Sequence, residues 1–200
     1  VDAGAVLVND VSGAADADLL RLVAERGIYY VLMHARGPSV DMASRAVYGD
    51  VVTEVVDELS ARLEVVLAAG VPEDRVIIDP GIGFAKTAAH NWALLANLHA
   101  LEKFGRPVLV GTSRKSFLGS VLAGPGEPPR PVDQRDEATQ ATTTLLAAAG
   151  VWAVRVHAVR QAVDAIRVVQ AWKQAARTGE QPKAGPAPAG SAAPEIRGVS

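Results

Sequence analysis

Five short apolar runs rich in Val, Ile and Leu punctuate the chain: Ala5 to Val8, Ile28 to Met33, Val76 to Ile78, Pro107 to Val110 and Val151 to Val156. Each is continuous and not alternating, the pattern of a strand buried on both faces of a parallel sheet. Between the runs, apolar positions fall at helical spacing. Asp16 to Arg26 carries Leu19, Leu20 and Val23 on one face and stops at Gly27. Tyr48 to Ala69 carries Val51, Val52, Val55, Val56, Leu59, Leu63 and Val66 and stops at Gly70. Thr87 is positioned to cap a third helix reaching Phe104, where Gly105 and Pro107 end it. Glu137 to Ala149 and Val159 to Arg177 give the fourth and fifth. Strand and helix alternate five times. That order predicts a parallel sheet with helices outside it, either open and doubly wound or closed as a (β/α)8 barrel.

Two features favour the barrel. The first strand leads into Asn9-Asp10-Val11-Ser12-Gly13, which has a single glycine where the dinucleotide fingerprint needs three. Polar residues also collect at the carboxyl end of every run: Asn9 and Asp10, His34 and Arg36, Asp79, Ser113 to Lys115, and Arg155 with His157. A barrel gathers its chemistry at that rim from many strands.

Composition narrows the class. Of the 200 residues, 49% are hydrophobic and 21% charged, enough for a domain with a core of its own. A net charge of -2 lacks the basic footprint that nucleic acid or an acidic membrane requires, so a small molecule is the expected partner. The absence of cysteine excludes disulfides and thiolate metal sites and fits the cytoplasm. No apolar run reaches the roughly 18 residues of a membrane span, and no signal peptide is visible. Residues 1–177 are expected to form the barrel portion, and residues 178–200, rich in Pro, Gly and Ala, a disordered tail. Pro125, Pro128, Pro129 and Pro131 mark a second flexible stretch, a candidate lid at the functional rim. Trp92, Trp152 and Trp172 read as packing residues.

The strand ends supply the candidate chemistry. Asp79 closes a buried strand before Pro80-Gly81; it either satisfies backbone N–H groups in a tight turn or presents a carboxylate that accepts two N–H bonds from a heterocycle. After Gly111 come Ser113 and the adjacent cations Arg114 and Lys115, which are either solvated or aimed at the rim. Alternation puts Arg155 and His157 on one side of their strand, where both can meet a phosphate or pyrophosphate, although a structural histidine is the other reading. Asn9 either makes an Asx-turn or offers its amide to a ligand. Met33 is either core or a thioether against a flat ligand. The four histidines lack zinc-like spacing, and no serine elbow or cysteine nucleophile is present.

Taken together, VNDVSG at 8–13, VLMH at 31–34, DPGIGFAKTAAHN at 79–91, PVLVGTSRKSFLG at 107–119 and VRVH at 154–157 resemble the dihydropteroate synthases, with an actinobacterial bias in Ala, Arg and Val. The resemblance covers about residues 4 to 173. It implies a (β/α)8 barrel that joins 6-hydroxymethyl-7,8-dihydropterin pyrophosphate to para-aminobenzoate, releases pyrophosphate and is inhibited by sulfonamides. By the same resemblance, Asn9, Asp79 and Lys115 bind the pterin and Met33 packs on it. Arg155 covers its other face and, with His157, holds the pyrophosphate. Phe84, Ser113 and Lys115 line the para-aminobenzoate pocket. Asp79, Lys115, Arg155 and His157 are thus the expected catalytic set. Mg²⁺ and a homodimer are implied too.

Two departures stand out. Ala158 occupies a place where the family usually has Asp. Elements expected from the family's first three strands, among them the asparagine for the metal, have no match here. Val1 to Asn9 corresponds to the fourth strand, so five units, strands 4 to 8, are expected, as if the chain began with a cut through a barrel. The other readings are a pterin-dependent corrinoid methyltransferase and a non-catalytic pterin-binding partial barrel.

Overall fold

The computed structural model describes residues 1–37 and 44–178. Among these, five parallel strands follow one another: β1 (Leu7–Asp10), β2 (Tyr29–Met33), β3 (Val76–Asp79), β4 (Leu109–Val110) and β5 (Ala153–Val154). β1, β2 and β3 form one ladder, β4 and β5 another, and a bridge between Ile78 and Val108 joins the two. Chain neighbours are therefore sheet neighbours, the order of a barrel wall, and the strands make up part of a (β/α)8 barrel.

The helices are α1 (Ala17–Arg26), α2 (Val51–Ala68), α3 (Ala88–Ala96), α4 (Ser116–Val121), α5 (Asp136–Ala149) and α6 (Val159–Thr178). Local chemistry sets their starts: Asp16 accepts from Leu19 N, Asp50 from Val52 N and Thr53 N, and Thr87 from His90 N. No described helix is long and apolar enough to cross a membrane.

Three expectations need correction. The third helix breaks at Asn97, whose side chain turns back to donate to Ala93 O, and Leu98–Phe104 winds as a 3-10 helix. The six-residue α4 was not expected; its Gly119 leaves room for Arg130 O, which a Cβ would approach to 2.7 Å. Among the tryptophans only Trp92 packs inside, edge-on to Phe117 at 4.9 Å, while Trp152 and Trp172 are exposed. Thr178 belongs to α6, and residues 179–200 of the expected tail lie outside the described residues. The proline-rich stretch is an exposed segment, tied back where Arg135 donates to Arg130 O and Arg114 O.

Strand parity divides the core into two sides. Tyr30, Leu32, Val76, Ile78 and Val110 face the helices and pack with Val55, Leu59, Phe117 and Leu118. Leu7, Val31, Ile77, Leu109 and Ala153, one from each strand, meet on the other face as a separate apolar layer inside the barrel arc. Two residues further along each strand, the same inward parity brings Asn9, Met33, Asp79, Gly111 and Arg155. The apolar layer is thus a floor, and the next layer is where polar side chains converge.

Candidate active site

Asp79 is fully buried in that second layer. Its Oδ1 accepts from Gly81 N at 2.8 Å and its Oδ2 from Arg155 Nη1 at 2.9 Å. Oδ1 thus shapes the turn, one of the two sequence readings, while Oδ2 is turned to Arg155. The same Arg155 nitrogen donates to Asn9 Oδ1 at 2.9 Å, so one guanidinium reaches from β5 to the ends of β1 and β3. Gly111 makes this crossing possible, because a Cβ there would lie 2.8 Å from Arg155 Nη2. Met33 pairs in register with Asp79 and is fully buried.

The turn after Asp79 depends on glycine. Gly81 has φ +66°, and a Cβ on it would collide with the His34 carbonyl. We expect Gly81→Ala to lower the unfolding free energy by about 2–4 kcal/mol, because left-handed strain adds to a clash with unyielding backbone. A urea midpoint equal to that of the wild type would refute this.

Lys115 forms the next part of the rim. Its Nζ donates to Ile82 O and lies 4.6 Å from the centre of the Phe84 ring. Burial pushes its ammonium down to about 8, with Asp79 pulling the other way and Arg155 adding to the depression. Ser113 Oγ lies 2.8 Å from His157 Nδ1 and accepts from His157 N at 3.2 Å. Arg155 and His157 are therefore held by different partners in the free chain. Arg114 turns away, bidentate on Asp136 at 2.7 and 2.8 Å.

Several residues that shape the site were not singled out from sequence. The Asx-turn weighed for Asn9 belongs to Asp10, which accepts from Ser12 N, Ser12 Oγ and Ala14 N and from Tyr30 Oη at 2.5 Å. Burial opposes its ionisation, but these donors keep its carboxyl below the ordinary range. Asn91 Oδ1 accepts from Gly83 N at 2.6 Å, and Lys86 binds the Gly81 and Phe84 carbonyls. Lys86 immediately precedes a helix N-cap, a place that disfavours cations, and that misfit was its available signal. Among the described residues, no three His, Asp or Glu gather as a metal site.

The profile of the pterin binding enzyme family matches residues 1–157. The dihydropteroate synthase of Mycobacterium leprae (strain TN) is 50% identical over 177 residues, covering 88% of this chain and 62% of the relative. The chain spans about three-fifths of the length of the dihydropteroate synthases it matches. The Yersinia pestis dihydropteroate synthase, solved with a sulfonamide drug complex, superposes with TM-score 0.80 at 35% identity, over 87% of this chain and 61% of that one. The Thermus thermophilus dihydropteroate synthase in complex with 6HMPPP gives TM-score 0.78 at 38% identity, over 86% of this chain and 66% of that one. An inward layer ending in Asn9, Asp79 and Arg155 and a profile match through His157 lead to one assignment: the chain belongs to the pterin binding enzyme family.

Proposed function

We propose that this chain supplies strands 4 to 8 of a dihydropteroate synthase, which joins 6-hydroxymethyl-7,8-dihydropterin pyrophosphate to para-aminobenzoate. The observation that carries the reading is the Asn9–Arg155–Asp79 cluster, in which a planar guanidinium already sits on a buried carboxylate. The amino-pyrimidinone edge of a pterin is likewise planar and presents N–H donors to such a carboxylate. It replaces Arg155 on Asp79 and frees that cation for the pyrophosphate. Asn9 and Lys115 complete the pterin contacts and Met33 lies beneath the ring. His157 joins Arg155 on the anion, and Phe84, Ser113 and Lys115 border the aminobenzoate.

In the reaction, the bond from the pterin methylene carbon to the pyrophosphate oxygen breaks, the carbon–nitrogen bond to the aminobenzoate forms, and the amine gives up one proton. Positive charge grows on the methylene and negative charge on the leaving group. Asp79 offsets the first, and Arg155 and His157 the second. No covalent nucleophile is needed. The resemblance implies Mg²⁺ beside the pyrophosphate, but the described residues gather no ligand set for it, and no step here runs through it. A second copy of the chain is the expected macromolecular partner, and exposed Val168 and Trp172, one turn apart on α6, form an apolar patch available to it. The expected setting is the cytoplasm.

The test is a chimera that joins the part of the M. leprae relative preceding this match to Val1. Formation of 7,8-dihydropteroate that sulfonamides inhibit, and that Asp79→Asn abolishes, supports the proposal. A folded chimera making no product overturns it.

A further inference from the structure

Beneath the candidate site runs a chain of buried and half-buried polar groups that none of the expected substrate contacts uses. His34, at the end of β2, is fully buried. Its Nε2 lies 3.0 Å from Glu58 Oε2 on α2, and its Nδ1 lies 2.8 Å from Lys86 Nζ. Glu58 also accepts from Arg36 through Oε1, which leaves Oε2 as the acceptor facing the ring. Nε2 therefore carries the imidazole proton. Burial first, then the nearby cations Lys86, Arg62 and Arg36, push His34 down to about 2, so the ring is neutral and Nδ1 is an acceptor. Lys86 Nζ donates to that nitrogen, to Gly81 O at 3.1 Å and to Phe84 O at 3.0 Å. Three N–H bonds meet three acceptors, which only the ammonium form can satisfy.

The two carbonyls bracket the loop that carries the site. Gly81 N is the donor to Asp79 Oδ1, Ile82 O receives Lys115, and Phe84 lies under the Lys115 ammonium. Accepting the proposed function, we propose that Lys86 is a positioning residue: its ammonium, seated on a His34 ring that Glu58 holds from the other side, fixes the Gly81–Phe84 loop and so sets the aim of Asp79 and the placement of Phe84.

The charge environment gives this arrangement a pH dependence. Burial pushes Lys86 down to about 7; Asp79 and Glu58 pull it up, while Lys115 and Arg36 push it further down. As pH rises through 7, Lys86 loses a proton and with it one of its three bonds. A ligand that needs the ordered loop therefore binds less tightly at higher pH and, by linkage, raises the pH at which Lys86 deprotonates.

The experiment follows backbone amides of the wild-type chain by NMR from pH 5.5 to 9, with and without 6-hydroxymethylpterin, alongside Lys86→Met and Lys86→Arg. In the free wild type, Gly81, Gly83 and Phe84 should shift together with a midpoint near 7 that pterin moves upward. Lys86→Met should lose that step and bind pterin about tenfold more weakly at pH 6, as expected for loss of charge-assisted hydrogen bonds; Lys86→Arg should recover part of the affinity. Lys115, with a pKa of about 8, leaves a separate step in all three proteins. If the free wild type shows no loop transition near 7, or Lys86→Met keeps it, Lys86 does not position the loop. If pterin binds to none of the proteins, the pterin seat proposed for this chain fails, and the free-chain transition alone decides the role of Lys86.

Discussion

Replacing Asp79 by Asn should weaken pterin binding by about 100-fold or more while leaving the fold in place. The asparagine carbonyl can still accept from Gly81 N, so the turn survives. Its amide NH₂ then faces the position now occupied by Arg155 Nη1, where a pterin would also present donors. Donor meets donor in a fully buried place. Losing two charge-assisted hydrogen bonds at about 1.5 kcal/mol each costs roughly 3 kcal/mol, or a factor of 100 to 200 in affinity. Fluorescence titration with 6-hydroxymethylpterin reads the loss, and circular dichroism reads the fold. A tenfold effect or less would mean that Asp79 mainly serves its turn.

Arg155→Met should separate the two halves of the substrate. Affinity for the pyrophosphate ester is expected to fall by about 100-fold, since a bidentate cation at an anion is worth several kcal/mol when partly desolvated. Affinity for 6-hydroxymethylpterin without the pyrophosphate should change by no more than about threefold, because the pterin takes over the acceptors on Asp79 and Asn9 that Arg155 occupies in the free chain. Equal losses for the two ligands would show that Arg155 serves the ring and not the anion. Competition titrations with both compounds give the comparison.

The sequence made the strand ends legible because the apolar runs are short and polar residues follow each within one or two positions. It hid the parity that sorts them. A strand buried on both faces carries no alternation, so Ile77 and Ile78 look alike although one lines the barrel floor and the other packs under the helices. That Asn9, Asp79 and Arg155 form one cluster follows from register across strands 146 residues apart in sequence, which no local pattern contains. The helix break at Asn97 and the short α4 escaped for a different reason: a single capping side chain and a six-residue segment are too small to disturb a helical periodicity. His34 stood at a strand end like the site residues, yet it points to Glu58 on α2 and Lys86 and lies beneath the site. A long-range pairing decides that, and the spacing of the VLMH segment is silent on it.

The proposed pterin seat is the second inward layer, where Arg155 sits on Asp79 in the free chain. A crystal structure of the 200-residue chain with 6-hydroxymethylpterin tests it most directly. The amino-pyrimidinone edge should lie on Asp79 Oδ2, with Met33 beneath the ring and the Arg155 guanidinium displaced from Asp79. A ring bound elsewhere, or an Arg155–Asp79 pair left intact beside it, would contradict the claim.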